Sequence, residues 1–383
     1  MATRLAKFEF QQGFHRETTA YAEGQRWFDG NYVRFRAGRP ENMRGYETRA
    51  SGATFDGSAR DLLTWSDSDS KKRAIFGTPD KLYVNEGDVI YDITPITTAV
   101  TLANVFGTSS GSTRVCCSDA AHGRAVGDYV LFTSSAAFNA VSLQGNTYQV
   151  VSVDSANVFT ISVTDAANAT GSDAGSATFN YYIPTGSSIA AAGLGYGAAR
   201  YQATVCASQT RAWNQPASAG SSGIVFDITQ WSLDNWGEDV VANRKGSNIF
   251  YFDSDASVLP TRATSVTTSP INSNSIIVSP NDRHLICLGT NEYAATATVS
   301  GTFNPMLVRW SDQDDRSNWV PSVSSTAGEV VLTDGTEIIG AVRSKNAINI
   351  WTDNSLWLME FAGPPFTFRF TQAGTNCGMV GPH

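Results

Sequence analysis

The passage from residue 59 to residue 94 leaves the chain little choice of structure. Four short runs rich in aliphatic, aromatic and β-branched residues (59–67, 73–78, 81–85 and 89–94) are cut apart by Asp, Ser, Gly and Pro. Each run is too short for a stable helix, and each joint is too short for a crossover, so consecutive runs should pair antiparallel. The result is a four-stranded meander, the unit from which β-propellers are built.

Pieces of this unit recur. Trp65-Ser66-Asp67, Trp310-Ser311-Asp312 and Trp351-Thr352-Asp353 share an aromatic–hydroxyl–carboxylate triplet at an expected strand end. Residues 285–290 echo 73–78, and 347–359 read as a strand–turn–strand of the same design. A degenerate repeat of this kind predicts an all-β, propeller-like body, with a β-sandwich as the alternative. Composition agrees, because only 16% of the 383 residues are charged while Gly, Ser, Thr, Ala and Asn abound. That balance favours short strands and many turns over long surface helices.

The text divides into three segments: 1–99, an N-terminal arm and the first blade or blades; 100–183, an inserted β-domain; and 184–383, the rest of the propeller. Within the insertion only Arg114 and Arg124 are basic. Strands are expected over 113–117, 128–133, 147–153, 158–163 and 177–183, giving a small five-stranded barrel or sandwich that projects from one blade. After it, a small-residue stretch over 190–199, with Gly193, Gly195 and Gly197, reads as a flexible return path.

At the N-terminus, residues 1–25 show neither period clearly and read as an extended arm that packs on a neighbour. Asp29-Gly30-Asn31 is a tight-turn signal between alternating flanks and predicts a hairpin. Arg34, Arg36, Arg39 and Arg44 alternate with aromatics there. They suit single-stranded nucleic acid, or the solvated face of a hairpin that meets an adjacent acidic ring. Residues 1–73 hold thirteen Lys or Arg against ten Asp or Glu, whereas the whole chain is at −8, so the remainder carries −11. An acidic body grips phosphates poorly and suits a wall past which DNA slides.

No stretch reaches the ~18 consecutive apolar residues of a membrane helix, and the first ten residues lack the apolar core of a signal peptide. No membrane insertion is expected, and folding is expected in a cytosol. Cys116, Cys117, Cys206, Cys287 and Cys377 are odd in number and form no C-x-x-C pair, so buried free thiols are expected. Cys116 and Cys117 should point to opposite faces of one strand, which suits no shared metal.

Three passages together carry a family resemblance. The first is Trp27-Phe28-Asp29-Gly30-Asn31-Tyr32-Val33-Arg34-Phe35-Arg36-Ala37-Gly38-Arg39-Pro40-Glu41. The second is Gly77-Thr78-Pro79-Asp80-Lys81-Leu82-Tyr83-Val84, running on to Tyr91-Asp92-Ile93-Thr94-Pro95. The third is Trp231-Ser232-Leu233-Asp234-Asn235-Trp236-Gly237-Glu238-Asp239-Val240-Val241-Ala242, followed by Ile249-Phe250-Tyr251-Phe252-Asp253. Over roughly 26–95 and 196–383 the chain resembles the tail hub proteins of short-tailed bacteriophages, also called nozzle or packaged-DNA stabilisation proteins. The insertion is similar to β-domains embedded in assorted phage structural proteins.

The resemblance implies a virion structural protein, a homo-hexameric ring below the portal and adaptor proteins. Such a ring would continue and close the DNA ejection channel and dock tail fibres or spikes. Double-stranded DNA would pass its lumen without specific binding. It would sit in the phage tail after assembly in the host bacterial cytoplasm. Trp231 and Trp236, from the third passage, join Arg34, Arg36, Arg39 and Arg44 as candidate interface residues. Family members continue past the position matching Asn376-Cys377-Gly378-Met379-Val380-Gly381-Pro382, so either another segment closes the last blade or the sequence is truncated.

Catalytic and ligand motifs are thin, and no cofactor, metal or catalytic residue is expected. Gly107-Thr108-Ser109-Ser110-Gly111 matches G-x-S-x-G, yet that chemistry needs a strand-to-helix turn and this text is a linker. Asp67-Ser68-Asp69, Asp253-Ser254-Asp255 and Asp312-Gln313-Asp314-Asp315 lack the Gly and Glu spacing of an EF-hand loop and read as turn caps, with a weak cation left open at 312–315. His15, His122, His284 and His383 are dispersed, and the middle two read as structural. Gly193-Leu194-Gly195-Tyr196-Gly197 lacks the spacing of a dinucleotide loop.

Trp213, Trp231, Trp236, Trp310, Trp319, Trp351 and Trp357 are either core and interface anchors or sugar-stacking platforms. The second choice underlies the alternative function, a carbohydrate-binding propeller or tail-spike adhesin. A polysaccharide hydrolase would need two carboxylates about 5–10 Å apart across a groove, and no pair stands out.

Overall fold

The computed structural model describes residues 11, 13–16, 19, 21, 27–43, 54–183, 229–255, 259–280, 282–295, 301–363 and 366–381. Arg44, Cys206, Trp213, His383, the 190–199 stretch and most of the 1–25 arm lie outside them. The chain divides into two compact units, Met1–Gly52 and Ala53–His383. Among the described residues all regular structure is β.

In the first unit, β1 (Val33–Arg36) and β2 (Arg39–Asn42) form the expected hairpin, but not around Asp29-Gly30-Asn31. Its two-residue turn is Ala37-Gly38, both in the left-handed region (φ 49° and 78°). That is the mirror-image turn whose twist matches an antiparallel pair. Asp29 instead accepts the Gly30 N–H, and the Phe14 ring lies where a Gly30 side chain would stand.

The second unit begins with the meander read from the sequence: β3 (Asp61–Ser66), β4 (Lys72–Gly77), β5 (Leu82–Glu86) and β6 (Val89–Asp92), paired in that order. Three more four-stranded meanders follow. The second sheet is β13 (Trp231–Trp236), β14 (Asp239–Arg244), β15 (Ile249–Phe252) and β16 (Thr264–Ser265). The third is β17 (Ser273–Val278), β18 (Leu285–Asn291), β19 (Phe303–Trp310) and β20 (Gly328–Val331). The fourth is β21 (Ile338–Arg343), β22 (Ala347–Thr352), β23 (Ser355–Phe361) and β24 (Phe368–Thr375).

Successive sheets pack face to face, as blades do. One apolar cluster joins Trp65, Ile75 and Val84 of the first sheet to Trp231, Val240 and Phe250 of the second. Another joins Val241 and Ile249 to Ile276 and Cys287. A third joins Ile286, Val308 and Trp310 to Ile350, Met359 and Phe368. The body is therefore all-β and propeller-like.

The repeated triplet does mark strand ends, but not one position in the blade. Trp65 ends a first strand, Trp310 a third and Trp351 closes on a second. The echo between 73–78 and 285–290 is positional, since both are second strands. What the triplet shares is a capping carboxylate. Asp67 accepts the Lys71 N–H, Asp312 the Thr326 and Gln313 N–H groups, and Asp353 the Thr336 N–H.

Between β6 and β13 sits a closed barrel of six strands, not five, in the order β10-β11-β8-β7-β12-β9. These are β7 (Val100–Thr108), β8 (Arg114–Ser118), β9 (Tyr129–Ser135), β10 (Thr147–Ser155), β11 (Val158–Ser162) and β12 (Gly171–Tyr181). Sequence reading missed β7 because bulges break its period: Asn104 has φ 58°, and the register with β12 shifts twice. A bulge puts two residues opposite one and erases strict alternation. Phe106, Phe132, Phe159 and Phe179 fill the interior.

Cys117 points into that interior and Cys116 to the other face, beside Val158. The free-thiol expectation fails at Cys116, which is disulfide-bonded. Cys377 is free but exposed, since it lies past the last strand.

The barrel is tied to the body at its root. Tyr182 bridges Ile96, and its hydroxyl donates to Asp92 at 2.7 Å and accepts from Arg262 at 2.8 Å. Asp92 belongs to the first sheet, and Arg262 lies between β15 and β16 of the second.

Candidate functional site

The first strand of each sheet is an edge strand, with one row of main-chain groups unpaired by its own sheet. Polar side chains on these strands satisfy the neighbours' rows. Asp61 on β3 accepts the Leu233 N–H of β13 at 3.2 Å. The Ser232 hydroxyl of β13 accepts the Ile276 N–H of β17 at 3.1 Å and donates to the Ile276 carbonyl at 2.8 Å. Two residues on, Asp234 accepts the Val278 N–H at 2.6 Å. Its other oxygen takes the Arg343 guanidinium of β21 at 2.6 Å and the Asn235 N–H at 2.8 Å. Side chains of three first strands thus stitch all four sheets together.

These strands line a cleft of ≈ 550 Å³, together with Lys245, Glu337 and Val380. Burial pushes the Asp234 carboxyl above the usual carboxylate range, although Arg343 and two main-chain amides oppose the rise. Asp61 and Asp234 are both committed to amides of adjacent strands, so neither stands as a free acid or base. The cleft is built as a seam. Sequence reading passed over it, although the signal was there: Ser232 and Asp234 put two polar side chains, two residues apart, on one face of a strand bounded by buried tryptophans.

One further cluster has the order of a catalytic triad. His284, fully buried, places Nδ1 at 2.8 Å from Asp282 and Nε2 at 3.0 Å from the Thr326 hydroxyl. That hydroxyl also donates to Asp312 at 2.6 Å and accepts the Gln313 N–H at 2.9 Å. With its proton committed to Asp312, the oxygen must accept from His284, and both lone pairs are then occupied. It has none left for an electrophile. Burial alone would raise the Asp312 carboxyl, but hydrogen bonds from Thr326, Gln313 and Asn318 outweigh it and hold it low. The cluster therefore fixes the 312–326 loop, and it shows residues 312–315 working as a turn cap.

The G-x-S-x-G segment is the β7–β8 hairpin connection, where Ser109 accepts the Ser112 N–H. His122 holds the Ser155 carbonyl and the Arg124 N–H. The structure brings three of the four candidate arginines together. Register places Arg36 opposite Arg39 and Arg34 opposite Glu41, on the exposed face of the hairpin, with an Arg34–Glu41 ion pair at 3.2 Å. Phe35 takes the other face, against Phe14.

Trp231 and Trp236 lie elsewhere, buried between sheets, and the Trp231 indole donates to the Thr78 carbonyl at 2.8 Å. Trp310 and Trp319 are likewise buried, and Trp351 and Trp357 half-buried.

No family model and no curated protein matches the chain. Among solved structures it is similar to the phage phi92 endosialidase, at 14% identity and a TM-score of 0.23. That match covers 83% of this chain, which spans half the length of the endosialidase chain.

Proposed function

We propose that this chain is a structural, non-enzymatic subunit of a bacteriophage tail, one copy of a hub or nozzle ring below the portal and adaptor. The observation that carries the reading is the seam. Polar groups at the meeting of the four sheets hold neighbouring strands together, as a wall under load requires, and are not left open to a substrate. The three sequence passages and the acidic body support the same reading. The carbohydrate alternative loses ground because Trp231, Trp236, Trp310 and Trp319 are buried.

Light scattering and negative-stain imaging of the purified chain, alone and with a portal–adaptor complex, test the proposal. The expected result is a ring of six that docks below the portal and binds duplex DNA weakly at moderate salt. A monomer indifferent to the portal, or tight DNA binding, overturns it.

A further inference from the structure

The barrel and the body each have a core of their own. Among the described residues, every side chain of the barrel's apolar cluster lies between Val100 and Tyr181. The nearest body cluster takes Ile93 and Ile183 from either side of the connection, and its other members from the first two sheets and the β15–β16 link. A narrow neck joins the two. In it the Thr97 N–H donates to the Tyr181 carbonyl at 2.8 Å, and the Ile183 N–H to the Pro95 carbonyl at 3.0 Å.

The side chains that meet beside the neck are divided by chemistry. Lys81 Nζ lies 4.6 Å from the centre of the Tyr129 ring and 5.7 Å from that of Tyr182. The Arg262 guanidinium lies 4.7 Å from the Tyr182 ring. Both cations belong to the body. Both rings travel with the barrel, because the Tyr182 N–H donates to the Tyr129 carbonyl at 3.0 Å. Each cation also keeps a carboxylate on its own side: Lys81 pairs with Asp56 at 2.7 Å and Arg262 with Asp92 at 3.4 Å. Moving the barrel away therefore strands no charge, and the penalty for splitting a buried pair is not incurred. What is lost are cation–ring contacts and the Tyr182 hydroxyl bonds, which water partly replaces.

We propose that the chain crossings at 95–97 and 183 form a hinge, latched by Lys81 and Arg262 against Tyr129 and Tyr182. With the latch open, the barrel swings as a rigid piece and both cores stay closed. Hinges take up rotation at the ends of elements, and an opening that exposes little apolar surface lies well below global unfolding in free energy. The swing lets the insertion turn toward a neighbouring protein without unfolding. It follows from this joint and is independent of the ring reading.

Hydrogen exchange of the full-length chain across a urea series tests the hinge without any substitution. The Thr97 and Ile183 amides should exchange through an opening with a small urea dependence, while those of β8, β11 and β18 follow the steep dependence of unfolding. Neck amides that share the steep dependence overturn the hinge.

Lys81→Met and Arg262→Met each keep the stem and remove the charge. Either should quicken exchange at the neck about tenfold and leave β8 and β11 unchanged. Tyr129→Leu should match Lys81→Met, and Tyr129→Phe should keep the native rate. Lys81→Met and Tyr129→Leu together should quicken exchange by less than the product of their separate effects. Neck rates indifferent to both charge removals overturn the latch, as does a full product in the combined variant. Quickening in β8 and β11 equal to that at the neck overturns the rigid swing.

Discussion

Asp234 and Arg343 lie 109 residues apart in the chain and 2.6 Å apart in the fold, joining the first strands of the second and fourth sheets. The carboxylate is buried and the guanidinium is partly open to solvent. Breaking such a pair from the cationic side leaves a charge that burial penalises. Arg343→Gln should therefore destabilise the body by about 1–3 kcal/mol at neutral pH, because water can partly replace the lost group. Asp234→Asn should destabilise as well, because its amide nitrogen must face one of the N–H donors that the two carboxylate oxygens now accept.

The pH dependence has a definite sign. A raised carboxyl pKa means the folded chain holds that proton more tightly than the unfolded chain does. Its contribution is therefore most favourable in acid and declines as pH rises past the unfolded value of about 3.9. Removing Arg343 raises the folded value further, so the Arg343→Gln deficit should be larger at pH 7.5 than at pH 4.5. Urea midpoints at the two pH values check this. A deficit that grows in acid would mean Asp234 is not the group left stranded.

Gly77 and Trp231 set the spacing between the first two sheets. A Cβ on Gly77 would stand 2.3 Å from the indole Cγ, and the indole is pinned by its bond to the Thr78 carbonyl. Gly77→Ala should cost about 1–3 kcal/mol through overpacking and shift tryptophan emission to the red. Trp231→Leu alone should also destabilise, by cavity and by an orphaned carbonyl. The double variant should be less unstable than the two losses summed, because each relieves the other. Strict additivity in the four-variant cycle would show that the two residues are not in contact.

The barrel's orientation rests on Tyr182. Burial first, and the Asp92 charge second, push its phenol pKa up. Tyr182→Phe removes the bond to Asp92 and the bond from Arg262, worth about 1–2 kcal/mol together. Hydrogen exchange should quicken at residues 95–99 while β8, β11 and the four sheets keep their protection. Arg262→Ala should do more, because Arg262 also donates to the Thr94 carbonyl at 2.7 Å and covers the Tyr182 ring. Equal loss of protection inside the barrel would mean that its folding, not only its attachment, depends on this root.

These residues also mark what could be read from the sequence. The blade text of 59–94 was legible because Asp, Ser, Gly and Pro fall between short apolar runs, and turn chemistry is local. Strand β7 was not, because a bulge destroys the alternation by which strands are recognised. The hairpin turn was misplaced for a related reason. Asp29-Gly30-Asn31 has turn residues by type, while Ala37 adopts a positive φ that only pairing of β1 with β2 explains. The tryptophans were visible as anchors, but composition cannot say which face is covered, and Trp231 and Trp236 proved internal. Of the seam, only the polar pair Ser232 and Asp234 could have been suspected, because its partners Ile276, Val278 and Arg343 come from strands that sequence proximity does not connect.

Thiol chemistry gives a sharp test of the packing. Cys117 lies in the barrel interior and Cys287 between the second and third sheets. Burial pushes both thiols up, Cys287 to about 12 against hydrogen bonding from Ser273 and the nearby Arg309 charge, and Cys117 further. The reactive species is the thiolate, so neither cysteine should be alkylated in the native chain at pH 7, and raising the pH to 9 should not change that. Exposed Cys377 should react at once. The sign for stability follows from the same shift. Above an unfolded value of about 8.5 the unfolded chain loses thiol protons that the folded chain keeps, so both cysteines should weaken the fold progressively in alkali. Peptide mapping after timed alkylation, with and without urea, checks the order of labelling. Fast native labelling of Cys287 would show that the second and third sheets open far more readily than their shared core allows.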